Sequence, residues 1–288
     1  MTRSCPGPLP PRRPEFKAPP GTCDTHAHII GPYDRFPPDD GRFYTAPESP
    51  LEAYAALQQA LGIERVVIVH PSCYATDTAI TEDALARLGV QARAIAVIAP
   101  DITDDRLSVL DGLGFRGVRF APVLLGGDPM PIIQAFAPRA ARLGWHIDLF
   151  IDGPSEMAGM AAGLKAVDVD LVLDHFGHFG AAHGIDHPGF AAMIELVAAG
   201  RTWVKLSCPD RLSAAGAPYD DMRPLAKALI ETRPDRMLWA SDWPHVGHWD
   251  QPIPEDSGLL DWLAGWGVDQ SVMHRMLVDN PATLYGFQ

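Results

Sequence analysis

Cys23-Asp24-Thr25-His26-Ala27-His28 opens the first apolar, strand-like run of the chain, and Ser241-Asp242-Trp243-Pro244-His245 ends the last. Side chains alternate across a pleated strand, so His26 and His28, at i and i+2, point to one face and can converge on a single atom. An aspartate at the end of another strand reaches them only if the chain closes on itself. Together the two stretches predict an active-site mouth built from both ends of the sequence.

Between them, short apolar runs alternate with helix-like segments. The strand-like runs are Thr22–His28, Arg65–Val69, Ala92–Ile98, Gly117–Phe120, His146–Ile151, Asp170–Leu173, Thr202–Leu206 and Met237–Ala240. Several are nearly continuous in Val, Ile and Leu, the pattern of parallel strands buried on both faces. Amphipathic stretches such as Leu51–Leu61, Thr81–Leu88, Ile132–Leu143, Phe190–Ala199 and Pro224–Thr232 separate them. Eight strands alternating with helices predict an α/β fold, and a single TIM-type (β/α)8 barrel needs roughly 250 residues, which fits a chain of 288. An open doubly wound sheet would bring a Gly-rich phosphate loop after its first strand; here the sequence reads Ile29-Ile30-Gly31-Pro32-Tyr33. The expected organisation is a Pro-rich N-terminal arm over residues 1–20, extended over the surface or disordered, and one barrel domain over residues 21–288.

A net charge of -13 argues against nucleic-acid binding, where a basic surface is expected. It leaves room for a basic pocket that takes a small anionic substrate. The four cysteines (Cys5, Cys23, Cys73 and Cys208) form no CxxC pair and no disulfide-scaffold density, which suits a reducing compartment. No apolar stretch is long enough to span a membrane, and the expectation is a cytoplasmic protein with no membrane or nucleic-acid partner. A homo-oligomer stays open.

In a (β/α)8 barrel the chemistry sits at the C-terminal ends of the strands. Those ends carry His26 and His28, His70 and Ser72, Asp101, Arg119, Asp152, Asp174 and His175, Lys205 and Ser207, and Asp242 with His245. Either first-strand histidine alone would read as a core or capping residue; the pair reads as functional. Asp174 could orient its neighbour His175. Asp242 before Trp243-Pro244 could be a turn aspartate, but its company favours chemistry. Arg119 either pairs with an internal carboxylate or binds an anionic substrate, and Arg211 could pair with Asp210. Cys73 and Cys208 read as packing residues, since no adjacent base is evident.

Three histidines and an aspartate at a barrel mouth suit two chemistries. They could bind a divalent metal such as zinc or manganese, with His26, His28, His175 and Asp242 as ligands, and activate water. Without metal, the histidines would polarise a carbonyl and the aspartate would act as general base.

Cys23–His28, Pro71-Ser72-Cys73, Gly117-Val118-Arg119-Phe120, Leu143-Gly144-Trp145-His146, Asp174-His175, Lys205–Pro209, Ser241–His245 and Asp279-Asn280-Pro281 recur in the same order in the amidohydrolase-2 branch of the amidohydrolase superfamily. The chain resembles that branch from about Gly21 to its C-terminus, and within it the 2-pyrone-4,6-dicarboxylate hydrolases, lactonases of aromatic-compound catabolism. The resemblance implies a distorted (β/α)8 barrel that hydrolyses the ester bond of a carboxylated lactone. It implies Asp242 as general base and His26, His28 and His175 as carbonyl-polarising groups. It implies Tyr44, Ser72, Arg119 and Arg211 as substrate-binding residues, and no metal cofactor, although related enzymes keep zinc or manganese. His245 is a further substrate-binding candidate.

The chain departs from that pattern in two places. A family arginine shortly after Arg119 is absent from a stretch that reads Val123-Leu124-Leu125-Gly126, and a family tyrosine is Phe150. Losing a bidentate carboxylate clamp costs roughly 2 kcal/mol or more of binding. The expected substrate is therefore a monocarboxylated or less polar lactone, or one whose second anion sits elsewhere, at Lys205 or His245. The alternatives are a metal-dependent decarboxylase, a sugar-acid lactonase or isomerase of the same superfamily, and a barrel that binds without catalysing. Retention of Asp242 and all three histidines argues against the last.

Overall fold

The computed structural model describes residues 3–99, 101–121, 128–249 and 251–288. Leu124 and Leu125, on which the expected loss of an arginine rests, lie outside the described residues. Eight strands form the barrel wall: β1 (Cys23–Ala27), β2 (Arg65–Val69), β3 (Ala92–Ala96), β4 (Phe115–Phe120), β5 (His146–Leu149), β6 (Leu171–Leu173), β7 (Thr202–Leu206) and β8 (Met237–Trp239). They pair in parallel in the order of the sequence. Helices fill the connections: α1 (Leu51–Leu61), α2 (Ala79–Leu88), α3 (Asp104–Leu113), α4 (Met130–Leu143), α5 (Gly153–Lys165), α6 (Pro188–Ala198) and α7 (Arg223–Thr232), with α8 (Asp256–Gly265) after the last strand. Among the described residues no helix is long and apolar enough to cross a membrane.

The apolar runs serve two cores. On β2, Val66 and Ile68 pack outward with the helices, whereas Val67 and Val69 join Cys23, Ile95, Val172, Trp203 and Leu238 on the inner side. Both faces are buried, so strands such as β2 and β6 read as nearly continuous hydrophobic runs. Tyr285 and Phe287, at the end of the chain, complete the inner cluster.

The wall closes between β8 and β1 by irregular bonds instead of a ladder. Asp242 N–H donates to His26 O at 2.9 Å, His28 N–H to Trp243 O at 2.8 Å, and Thr25 Oγ1 to Trp239 O at 2.8 Å. Asp24 pins this seam: its carboxylate accepts from the Ser241 amide (3.0 Å), the Ser241 hydroxyl (2.5 Å), the His26 amide (3.1 Å) and the Tyr54 hydroxyl of α1 (2.9 Å). The pairing of β1 with β2 shifts register between Asp24 and Ala27. That shift lets His26 face the barrel interior although Asp24, two residues earlier, faces α1.

The N-terminal segment lies along the barrel. Arg3–Ser4 pairs in parallel with Tyr44–Thr45, the Gly247 amide meets Cys5 Sγ at 3.3 Å, Arg12 pairs with Glu255, and the amides of Glu15 and Phe16 donate to Asp261 of α8.

Candidate active site

The strand ends supply the site, and several bend sharply as they leave the wall. His175, His178, Cys208, Asp242 and His245 all have positive φ, between 48° and 63°. Non-glycine residues visit this region rarely and at a cost, and such residues gather where function needs a side chain aimed off its strand.

Asp242 is the hub. Its Oδ1 stands 3.6 Å from His26 Nε2, 3.8 Å from His28 Nε2 and 3.5 Å from His175 Nε2. Its Oδ2 accepts from Arg211 Nη2 at 2.9 Å and from the Cys208 thiol at 3.2 Å. All of these groups except Arg211 are buried. Burial pushes the Asp242 carboxyl up, but the surrounding charge, with Arg211 in direct contact, outweighs it and holds the pKa well below the usual range. The carboxylate is therefore ionised at neutral pH.

Each histidine is held from behind by its other ring nitrogen. His28 Nδ1 lies 2.7 Å from the Val69 carbonyl. A carbonyl only accepts, so Nδ1 carries the proton and Nε2 turns a lone pair toward Asp242. Burial lowers the His28 pKa to about 3, so this neutral form persists. His175 Nδ1 meets Ser207 Oγ at 2.8 Å and Cys208 Sγ at 3.2 Å, and burial lowers its pKa as well. His26 Nδ1 faces Lys205 Nζ at 3.3 Å, and among the described residues its Nε2 has no hydrogen-bond partner.

Below this layer lies a buried charged cluster. Lys205 Nζ contacts Asp148 Oδ2 at 2.7 Å and Asp174 Oδ1 at 3.0 Å, and His146 Nε2 adds a contact to Asp148 at 3.0 Å. Burial lowers the Lys205 pKa, but the two carboxylates outweigh it and raise it. Both carboxylates are depressed despite their burial. With Arg119, whose Nε donates to Asp174 Oδ2 at 2.9 Å, two cations face two carboxylates, the paired form in which charge survives inside a fold.

The geometry corrects three expectations. Asp174 does not orient its neighbour His175; it holds Arg119 Nε at 2.9 Å and lies 3.2 Å from His26 Nδ1. Arg211 pairs with Asp242 and the Val246 carbonyl, while the adjacent Asp210 faces His248 at 2.7 Å. Lys205 has no exposed surface and both its carboxylate partners are internal, so it offers no seat for a substrate anion. His245 presents Nε2 to Asp256 at 3.0 Å and stacks with His248; no contact joins its ring to the Asp242 carboxylate. Burial lowers its pKa, but Asp256 outweighs that and raises it.

Tyr44 and Ser72 form a pair of their own through their hydroxyls at 3.3 Å. Arg119 lies over the Phe150 ring at 4.7 Å. Apart from Nε, its guanidinium makes no bond to a described residue, so its remaining N–H groups are available to an anion. Burial raises the Cys208 pKa well above the usual thiol range, so Cys208 is a neutral donor to Asp242 and not a nucleophile.

Sequence reading missed His178, which follows His175 by three residues. Its ring packs edge-on against Phe150 at 4.3 Å and 6.0 Å from His175. It also missed Asp148 and the Asp24–Ser241 staple, whose roles depend on pairing across strands.

The donor types around Asp242 are those that bind a divalent metal. A tetrahedral ion with bonds of about 2.1 Å spaces its ligands about 3.4 Å apart. The three Nε2 atoms surround Asp242 Oδ1 near that spacing, and the ligand atoms of His26, His28 and Asp242 all lie within 4.8 Å of one another. By spacing and donor type His26, His28 and Asp242 fit three positions of such an ion, and His175 Nε2 approaches the same Asp242 oxygen at 3.5 Å.

A family model described as Amidohydrolase matches residues 23–287. The chain is 38% identical to a 4-sulfomuconolactone hydrolase of Rhizobium radiobacter over 98% of its length and 96% of that protein. It is 33% identical to a 2-pyrone-4,6-dicarboxylate hydrolase of Comamonas testosteroni over 96% of its length and 93% of that protein. Among solved structures it resembles an apo protein of Agrobacterium tumefaciens with a TM-score of 0.84 and 27% identity, covering 96% of this chain and 99% of the other.

Proposed function

The chain belongs to the amidohydrolase family, and from that premise we propose that it is a lactonase, a hydrolase that opens the ring ester of a small lactone carrying a carboxylate or sulfonate. The observation that carries this reading is the convergence of three imidazole Nε2 atoms on one ionised carboxylate oxygen, Asp242 Oδ1. The relatives named for 4-sulfomuconolactone and 2-pyrone-4,6-dicarboxylate support the substrate class.

Asp242 is the general base. A water beside its Oδ1 is also within reach of the His28 lone pair, so two acceptors take its hydrogens and aim its oxygen. The water oxygen bonds to the lactone carbonyl carbon while Asp242 receives a proton. His26 and His175 face the carbonyl oxygen and stabilise the charge that develops there. As the intermediate collapses, the ring carbon–oxygen bond breaks and Asp242 returns its proton to the leaving oxygen. His28 thus orients water in place of the carbonyl-polarising role expected from sequence, because its Nδ1–H is committed to Val69. Arg119 binds the substrate anion; Arg211 binds it less directly, since its main partner is Asp242.

If a divalent ion is bound, His26, His28, His175 and Asp242 would hold it, and it would supply Lewis-acid polarisation and a lowered pKa for water. Asp242 keeps its place next to the water either way.

The test is steady-state ring opening of 4-sulfomuconolactone and of 2-pyrone-4,6-dicarboxylate, followed by ultraviolet absorbance with chelator-treated and zinc-supplemented enzyme. Turnover of at least one lactone supports the reading. Turnover of neither under either condition would overturn it.

A further inference from the structure

Lys205 reaches three groups at once: Asp148 Oδ2 at 2.7 Å, Asp174 Oδ1 at 3.0 Å and His26 Nδ1 at 3.3 Å. A lysine ammonium only donates, so the imidazole nitrogen it faces must offer a lone pair. Asp174 Oδ1 approaches the same Nδ1 at 3.2 Å, which would favour a proton there. Asp174 Oδ1, however, already faces the Lys205 ammonium at 3.0 Å, and of the two contacts at Nδ1 it is the one from Lys205 that has hydrogen-bond geometry. A neutral imidazole carries one proton, and if Nδ1 accepts, that proton sits on Nε2.

We propose that Lys205 is a positioning residue that locks His26 in its Nε2–H tautomer, so that His26 enters the site as a fixed hydrogen-bond donor. His28, two residues away, is locked in the opposite tautomer by the Val69 carbonyl. The two first-strand histidines therefore meet the substrate with opposite polarity. His26 donates to the carbonyl oxygen, and His28 accepts from the attacking water. The same lock bears on metal. To ligate through Nε2, His26 would have to move its proton to Nδ1, against the ammonium. Lys205 thus opposes ligation by His26 even though the spacing of the donor set suits an ion.

The identity of the group that meets His26 rests on the lactonase reading; the tautomer does not. The test is the two-bond proton–nitrogen correlation spectrum of chelator-treated enzyme labelled with 15N-histidine, with His26 assigned by its loss in His26→Asn. The expected wild-type pattern is a protonated Nε2 and a bare Nδ1. In Lys205→Met the proton should move to Nδ1, beside Asp174, and kcat for the lactone should fall about a hundredfold with KM little changed. In Asp174→Asn, which keeps the ammonium, the tautomer should stay as in wild type. A protonated Nδ1 in the wild-type spectrum would overturn the proposal, as would an unchanged tautomer in folded Lys205→Met. If Lys205→Met does not fold, the wild-type and Asp174→Asn spectra decide. A wild-type spectrum with the expected tautomer from an enzyme that opens neither lactone would support the lock and remove the lactonase reading.

Discussion

The backbone N–H of Asp242 donates to the carbonyl of His26 at 2.9 Å across the last seam of the barrel. The base and one of the histidines around it are thus tied by main chain, although they lie near opposite ends of the sequence. Their spacing is set by how the seam closes, and Asp24 is the group that closes it.

Asp24→Ala should therefore damage fold and site together. It removes four hydrogen bonds to a buried carboxylate and leaves their donors unpaired, a loss of at least about 3 kcal/mol. Urea unfolding should show that drop, and kcat should fall with it. A change below about 1 kcal/mol would mean that the seam is held elsewhere.

Asp242→Asn should retain the fold and lose the base. General-base catalysis is worth about 10²–10⁴ in rate, so kcat of the folded variant should fall about a thousandfold, while the unfolding midpoint drops because Arg211 loses its charged partner. Turnover within tenfold of wild type would assign the base to another group.

Arg211→Met should shift the pH profile. Asp242 works ionised, so the rate is lost as pH falls through its pKa, which the wild-type site keeps well below the usual carboxylate value. Without the guanidinium at 2.9 Å, that pKa rises, and the acid limb of kcat/KM should move up by about one unit or more. An unmoved limb would separate Arg211 from the base.

Stability should fall in acid earlier than carboxylates alone would cause. Burial lowers His28 to about 3, and His70 and His178 to about 4. The unfolded chain takes up these protons near pH 6.5, so their stabilising effect is complete above that value. It is lost as pH falls toward the folded values, at about 1.4 kcal/mol per pH unit for each histidine. Asp148 and Asp174, whose folded values are depressed, lose their contribution only below about pH 4. Urea midpoints of chelator-treated protein at about pH 7 and about pH 5 isolate the histidines. Equal midpoints would contradict their buried, neutral state.

Much of this was legible in the sequence. The strands were, because several are nearly continuous in Val, Ile and Leu and the rest alternate with helix-like segments at regular spacing. Helices α3, α5 and α8 were not. Asp-Asp-Arg-Leu-Ser-Val-Leu-Asp-Gly-Leu buries only Leu107 and Leu110, and Gly153–Lys165 is rich in glycine and alanine. The fourth run extends back to Phe115 because Arg116, half-buried, interrupts its apolar pattern. Within the site, the residues at the strand ends were visible but their pairings were not. Arg211 passes over its neighbour Asp210 for Asp242, and Lys205 finds carboxylates on β5 and at the end of β6. Those choices follow from register around a closed barrel, and local spacing carries no trace of them.

The most direct test of the central claim is turnover of an anionic lactone in ¹⁸O-labelled water, with the product analysed by mass spectrometry. Attack of an Asp242-activated water on the carbonyl carbon predicts one ¹⁸O in the new carboxylate and none at the ring-opened oxygen. Label at that oxygen beyond the keto exchange of product alone in the same water, or a product with no label in the new carboxylate, would contradict hydrolysis at the carbonyl by this site.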